Sequence, residues 1–412
     1  MSDPGAPPRR LAATFAALRY RNYRLWFFGQ MFSLFGTWMQ QTALGFLVFD
    51  LTGSPAYLGT VSFASGISVW IFMLYGGVVA DRLPRRSLLL ATQSTMMLLA
   101  LALSLLTFLK VVAPWQILLF AFLLGTANAF DAPARQAFVL EMVSREDLTN
   151  AIALNATLFN TAVALGPAVG GVLYAAVGPA WCFFLNALSF LAIIVPLGMM
   201  RLSASVAPTR RESALRSMRE GLRFIGRNGF ISVVIATVTV FSLFAISAAT
   251  LFPAWAVTIL GGDARTNGFL QSARGAGALC GALAIASLGR FTFRGRVLTV
   301  GSFVFPLALV AFSLTRRLPL SLGLLFLAGA AQVMVLNVAN AMVQTLTDDA
   351  FRGRVMAVYS LTVFGFLPVG SLIAGFLGEH VSLPFAVLFG AGLCLLFALF
   401  VRWRVPRLRL QQ

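Results

Sequence analysis

Charged residues are scarce in this chain of 412 residues. They make up 11% of the sequence, whereas a soluble domain carries about a quarter. Histidine occurs once, there are 13 acidic residues, and Lys110 is the lone lysine. A catalytic site needs several such groups clustered at one place, so the composition argues against an enzyme.

Cysteine is also rare, with three residues in the chain. Cys182, Cys280 and Cys394 all fall inside apolar stretches, where a thiol behaves as a small hydrophobic side chain. We therefore expect no disulfide, no metal site and no cofactor. A phosphate-binding loop of the type G-x-x-x-x-G-K-[ST] is also missing, so nothing in the sequence supports direct use of ATP.

Apolar residues are abundant instead: 59% of the chain is hydrophobic, and the mean hydropathy is +0.87. A soluble protein of this composition would expose large apolar patches. The net charge is +18, but the arginines occur in short bursts between apolar runs, not on one polar face as in a nucleic-acid-binding protein. We expect the partner to be a lipid bilayer and not a nucleic acid.

Twelve apolar runs are long enough to cross a bilayer, which takes about 20 residues of helix. The sequence thus predicts an all-α membrane protein. The predicted spans are 24–50, 56–80, 87–109, 115–139, 151–176, 181–200, 230–260, 267–289, 297–314, 319–346, 355–377 and 384–402.

One connection, residues 201–229, is much longer than the others and divides the spans into six plus six. Leu215, Met218, Leu222 and Ile225 form an apolar helical stripe in it, so we expect an amphipathic helix on the membrane surface; a disordered basic linker is the alternative. The predicted parts are an N-terminal segment 1–23, a bundle 24–200, the linker 201–229, a bundle 230–402 and a tail 403–412.

The orientation follows from the distribution of basic residues, which are enriched on the cytoplasmic side of membranes. With the N-terminus inside, all but five of the 31 lie in cytoplasmic segments. Lys110, Arg265, Arg316 and Arg317 fall outside, and Arg274 falls within a span. We therefore expect both termini in the cytoplasm.

The two halves carry a weak repeat. "GPAVGGVL" in the fifth span is echoed by "LPVGSLIAG" in the eleventh. Paired six-helix halves are an architecture of secondary transporters, whose substrate site lies between the halves.

A loop motif then identifies a resemblance. "GGVVADRLPRR", from Gly76 to Arg86, is similar to the motif between spans two and three of the major facilitator superfamily, with Pro84 replacing the usual glycine. "DAPARQAF", "REDLTNAIAL" and "GPAVGG" strengthen the resemblance to its transmembrane secretion effectors, the enterobactin-exporter-like and macrolide-efflux-like proteins. The matching loop positions are Gly77, Asp81, Arg82, Arg85 and Arg86.

This resemblance implies twelve transmembrane helices in two pseudo-symmetric six-helix bundles. It also implies a multi-pass protein of the bacterial inner membrane that acts as a monomer. "ALGPAVGG" is similar to the fifth-helix motif of antiporters in this superfamily, at Gly166, Pro167, Gly170 and Gly171. Small residues allow close helix contact and Pro167 permits a bend, which favours export; ordinary close packing is the alternative.

Two charged residues in the fourth span are candidates for proton coupling and for closing the cytoplasmic side. Asp131 lies roughly 24 Å and Arg135 roughly 30 Å from the outer end of that span, on one helix face with Asn128. We expect Arg135 and Asp81 to form a cytoplasmic latch. Asp131, less firmly paired, would then exchange a proton, because desolvation raises the pKa of a carboxyl group. A purely structural Asp131–Arg135 pair is the alternative.

Two alternative roles are possible for each of the other polar residues in or near the spans. Asp50 is either a proton-entry group or a cap at the outer end of the first span. Arg274, predicted roughly 10 Å below the outer face, either snorkels outward or faces the cavity, where it attracts anionic substrate or repels protons. Amides either join helices or contact substrate: Gln40, Gln41, Asn128, Gln332 and Asn337.

These observations predict a secondary active transporter that exports amphiphilic small molecules, a drug or a siderophore-like metabolite, in exchange for protons by alternating access. The spans hold few charges or amides at mid-depth, which favours hydrophobic cargo. The alternative is a proton-coupled or facilitative importer of a small metabolite.

Overall fold

The computed structural model describes residues 15–200, 214–287 and 293–404, without the side chains of 73, 74, 77, 78, 80–82 and 214–217. Within these ranges the chain is helical and contains no strand. Two short 3₁₀ helices cover Ala16–Arg19 and Ile246–Leu251. The α-helices are α1 (Arg21–Thr52), α2 (Pro55–Arg82), α3 (Arg85–Phe108), α4 (Pro114–Val139), α5 (Leu148–Val177), α6 (Pro179–Met199), α7 (Ala214–Arg227), α8 (Gly229–Phe244), α9 (Phe252–Thr258), α10 (Ala264–Ser287), α11 (Arg294–Leu314), α12 (Leu318–Leu346), α13 (Asp349–His380) and α14 (Leu383–Arg404).

Every predicted span corresponds to a described helix, with α8 and α9 together forming the seventh. Eleven of the described helices are long and apolar enough to cross a membrane, counting the seventh span as one. The remaining span, α1, is 32 residues long but less apolar, because Gln30, Gln40 and Gln41 interrupt it. It packs against α5 and α6 inside the first half.

The seventh span, predicted as one helix over 230–260, is interrupted. The α-helix α8 ends at Phe244, and the 3₁₀ helix Ile246–Leu251 precedes α9. Pro253 has no backbone N–H to donate to the Ala249 carbonyl. That carbonyl accepts a hydrogen bond from the Phe252 N–H instead, an i→i+3 bond that keeps the segment in the tighter helix.

Turns with left-handed glycines mark one end of the bundle. Gly53, Gly178 and Gly261 have φ of 62°, 90° and 61° and follow α1, α5 and α9. Glycine adopts this conformation without the strain that a Cβ causes. We call this the predicted outer end. The predicted inner end holds the turn at Leu83–Pro84 and the start of α1.

The expected linker helix is present as α7 and packs on the second half; its position at the membrane surface stays a prediction. Glu220 forms a 3.0 Å ion pair with Arg354 at the start of α13. Phe224 stacks on Phe351 with 4.9 Å between ring centroids, and Ile225 is buried. Ile225 of its apolar stripe therefore has a protein partner, whereas Leu222 is exposed. Residues 201–213, the first part of the predicted linker, lie outside the described residues.

Candidate functional site

The halves meet along two seams, and α5 with α10 forms the first. A Cβ added to Gly171 would overlap the Ala264 carbonyl oxygen, and one added to Gly268 would lie 2.5 Å from the Pro167 oxygen. Only glycine therefore lets the two backbones approach this closely.

The antiporter-like motif contacts helices of both halves. Gly171 contacts the second half, whereas an added Cβ on Gly166 would lie 2.7 Å from Trp38 Cβ and one on Gly170 would lie 2.8 Å from the Met39 oxygen, both on α1. Pro167, between these contacts, leaves the Val163 carbonyl without its helical donor. The motif thus joins α5 to its own half and to the other.

Polar groups support the same seam. The Ala168 N–H donates to Ser272 Oγ at 2.8 Å, one turn from Gly268. Thr42 Oγ1 of α1 lies 3.5 Å from Gln271 Oε1, and Gln271 Nε2 donates to Asn267 Oδ1 at 3.1 Å. Asn267 is fully buried. The seam therefore carries inter-half hydrogen bonds near the middle of the bundle.

The second seam lies between α2 and α13, and it contains the copy of the repeat in the eleventh span. A Cβ added to Gly59 would lie 2.5 Å from the Ser371 oxygen, and one on Gly66 would overlap the Pro368 ring. Trp70 Nε1 donates to the Gly365 carbonyl at 2.8 Å. Ser371 on this seam meets Gly59 as Pro167 meets Gly268 on the first, and Pro368 lies one turn away against Gly66. The echoed sequences therefore both lie at inter-half contacts, but their prolines are not at equivalent positions.

The predicted outer end is closed by a contact between the halves. Ser54 Oγ donates to Glu379 Oε2 at 2.8 Å, and the Ala56 N–H approaches the same oxygen at 3.3 Å. Tyr75, in the inner part of α2, and Phe364, at the midpoint of α13, are by contrast exposed, with accessible fractions of 66% and 68%. The described contacts therefore close the predicted outer end.

Replacing Glu379 by glutamine is expected to loosen the outer closure, because it removes a negative charge from the N-terminus of α2. The readout is maleimide labelling of Ser371→Cys, a position buried in the seam, in a Cys280→Ser background. We expect labelling about threefold to fivefold faster, in line with the weak energies of exposed charge contacts. His380→Gln, at the neighbouring exposed residue, is the control; equal rates in both variants would contradict the role of Glu379.

Asp131 is fully buried and surrounded by donors. Thr92 Oγ1 and Gln93 Nε2 of α3 each donate to Oδ1 at 2.8 Å, and Arg135 Nη2 lies 3.1 Å from Oδ2. In this conformation Asp131 is paired with Arg135; its weaker pairing once Arg135 joins the latch stays a prediction. Asn128, which was expected on the same polar helix face, is exposed, so it does not share the buried environment of Asp131. The pair joins α4 to α3 inside the first half.

The structure describes only some side chains of the loop motif between α2 and α3. Arg85 Nη1 pairs with Glu141 at 2.6 Å, and Arg86 Nε and Nη2 donate to the carbonyls of Leu197 and Gly198 at 2.6 Å each. Both arginines thus bind within the first half. The side chains of Asp81 and Arg82, and the surroundings of Gly77, lie outside the described ones, so the Asp81–Arg135 latch stays a prediction.

A network at the inner end holds the start of α1. Arg19 Nη2 lies 2.5 Å from Asp147 Oδ2 and donates to Tyr20 Oη at 3.0 Å. Tyr20, first, and then Asp147 raise the pKa of Arg19 above its ordinary value. This exposed network joins the first half's N-terminus to the loop between α4 and α5.

The candidate cavity amides differ in environment. Gln40 is buried and its Oε1 accepts from Asn186 Nδ2 of α6 at 2.6 Å, so it joins two helices and is not placed for substrate. Gln41, Asn128 and Asn337 are exposed. Asp50 is exposed as well, and the Tyr174 hydroxyl lies 3.5 Å from its Oδ2.

Arg274 lies deeper than the sequence indicated. It is near the midpoint of the 24-residue helix α10, about 15 Å from the outer end of that helix. In this conformation its side chain contacts α12 and does not extend toward the outer end. Arg274 Nη1 donates to Gln332 Oε1 of α12 at 3.3 Å, so the structure brings these two candidates together.

Several residues of the site were missed from sequence. Glu379 was overlooked because an acid at a helix end has no pattern of its own. Asn267 and Ser272 had a signal: with Gln271 and Arg274 they give the eighth span a run of polar positions at helical spacing. Thr92 and Gln93 stand in "LATQST" of the third span, and a neutral polar pair does not predict that a carboxylate packs against it.

Comparisons with known proteins agree with this architecture. The model of the transmembrane secretion effector family matches residues 12–411. The multidrug efflux pump Tap of Mycolicibacterium fortuitum is 25% identical over 376 residues, covering 89% of this chain and 91% of Tap. The enterobactin exporter EntS of Escherichia coli is 27% identical over 371 residues, covering 87% and 86%. A crystal structure of the peptide transporter POT superposes with a TM-score of 0.76 at 14% identity, over 95% of this chain and 96% of that one, which shows the fold.

Proposed function

The chain belongs to the transmembrane secretion effector family of the major facilitator superfamily, so it is a multi-pass membrane transporter and not an enzyme, and we propose on that premise that it exports amphiphilic small molecules in exchange for protons. Tap is a multidrug efflux pump and EntS an enterobactin exporter. A drug or a siderophore-like metabolite is therefore the proposed cargo. We further propose the bacterial inner membrane as its location, with both termini in the cytoplasm.

The observation that carries the proposal is the pair of inter-half seams. Each has a proline, Pro167 or Pro368, and glycines at backbone contact with the other half. Proline permits a bend, and close glycine contacts between helices let two rigid bundles rock against each other. This supports alternating access about a site between the halves.

Proton exchange is assigned to Asp131 through competition for Arg135. In the described conformation Arg135 neutralises Asp131. When the inner ends close, the Asp81–Arg135 latch would draw the guanidinium away, and a buried carboxylate left without its cation takes up a proton. Reopening would restore the pair and release the proton inward. Asp50 is the proposed proton-entry group, and its exposure beside Tyr174 at the outer end supports this role.

Transport into inverted membrane vesicles tests the proposal, with a panel of dyes, macrolides and siderophores, with and without a pH gradient. We expect gradient-dependent accumulation of at least one panel compound, and loss of most of that dependence in Asp131→Asn at equal expression. Undiminished dependence in the variant would remove Asp131 as the carrier. Flux that ignores the gradient in the wild type would contradict antiport altogether, and uptake in the reverse direction would favour the importer.

A further inference from the structure

Arg274, in the middle of the bundle, is a cation for which the described residues supply no anion. Its Nη1 donates to Gln332 Oε1 at 3.3 Å, but its Nε is buried and has no acceptor. Among the described residues no carboxylate lies within 4.0 Å of the guanidinium. One neutral amide oxygen does not replace the hydration that an arginine loses in a membrane interior, and such residues mark substrate pathways.

The surroundings of Arg274 place it where the halves meet. Asn267, Gln271 and Arg274 follow one another at spacings of four and three, so they share a face of α10. Gln271 on this face reaches Thr42 of α1, across the boundary between the halves. Arg274 comes one turn farther from the closed outer end, and its side chain is partly accessible.

A second donor on this face is also unused. Asn267 is fully buried, and its Nδ2 has no acceptor within hydrogen-bond distance. Buried polar groups normally find partners. The two unused donors lie about 10 Å apart along the helix, so one group does not satisfy both. The cationic one, Arg274, calls for an acceptor with negative charge.

We propose that Arg274 recognises a carboxylate on the exported molecule, so that the cargo class is an anionic amphiphile. This rests on the proposed export function and specifies its substrate. The planar guanidinium binds carboxylate through two parallel hydrogen bonds, and the Gln332 oxygen holds its Nη1 in place. The apolar remainder of the cargo would contact aromatic and aliphatic surfaces between the halves.

Equilibrium binding of three small fluorescent probes tests this assignment. Dansylglycine is anionic, dansylamide is neutral and dansylcadaverine is cationic, and all share one fluorophore. The full chain is titrated in lipid nanodiscs without a pH gradient. We expect the wild type to bind dansylglycine at least tenfold more tightly than dansylcadaverine, and Arg274→Gln to weaken dansylglycine about tenfold while dansylamide changes less than twofold.

Arg265→Gln is the matched control, because Arg265 is an exposed arginine on the same helix; it should leave all three affinities unchanged. If Arg274→Gln does not fold, Arg274→Lys keeps the charge but not the two-pronged geometry, and we expect it to weaken dansylglycine alone by severalfold. No preference for the anion in the wild type, no weakening in the variants, or equal weakening of all probes would overturn the proposal. Binding at equilibrium requires neither export nor a gradient, so failure of proton-driven flux with anion selectivity intact would contradict the transport mechanism alone.

Discussion

Replacing Gly171 by leucine is expected to abolish transport, with flux at least tenfold below the wild type. Even a Cβ at this position would overlap the Ala264 carbonyl oxygen, and a longer side chain would separate α5 from α10. Overpacking of a close contact costs about 1–3 kcal/mol, and here that cost falls on the state in which the outer end is closed. The measurement is gradient-driven flux of a transported panel compound in inverted vesicles.

Gly392→Leu on α14 controls for the loss of a glycine from a membrane helix. A Cβ at Gly392 would meet no atom within 4 Å, so flux should remain within twofold of the wild type. Substantial transport by Gly171→Leu at normal expression would show that the α5–α10 seam does not need to close during the cycle.

Replacing Arg135 by glutamine is expected to destabilise the fold by about 3 kcal/mol, because it leaves a buried carboxylate without its cation. Asp131 has no accessible surface, and its remaining donors, Thr92 and Gln93, are neutral. The apparent melting temperature in detergent should fall by several degrees. This measurement is independent of transport and therefore separates the structural role of the pair from proton exchange.

The double variant Asp131→Asn/Arg135→Gln removes both charges and should recover at least half of the lost stability, since no buried charge remains. Arg352→Gln removes one partner of an exposed pair with Asp349 and should change stability by less than about 1 kcal/mol. If the double variant were less stable than Arg135→Gln alone, the charge at Asp131 would not be the cause of the loss.

Most of the architecture could be predicted from the sequence, whereas the pairing of polar residues could not. The twelve runs and the long connection after the sixth span have a local cause, which is apolar length. Whether Gln40 joins helices or contacts cargo depends on Asn186, 146 positions away. The break in the seventh span was missed, because the run of apolar residues predicted one continuous helix although Pro253 lacks a backbone N–H.

The sequence by itself determined that this chain spans a membrane with helices in two related halves. A bilayer interior offers no hydrogen bonds to the backbone, so an apolar run of sufficient length has to form a helix. Only the tertiary structure decided which polar groups are satisfied. Asp131 has its cation and two donors, while Arg274 has no anion among the described side chains. The difference depends on contacts between α3 and α4 and between α10 and α12 that no local pattern encodes.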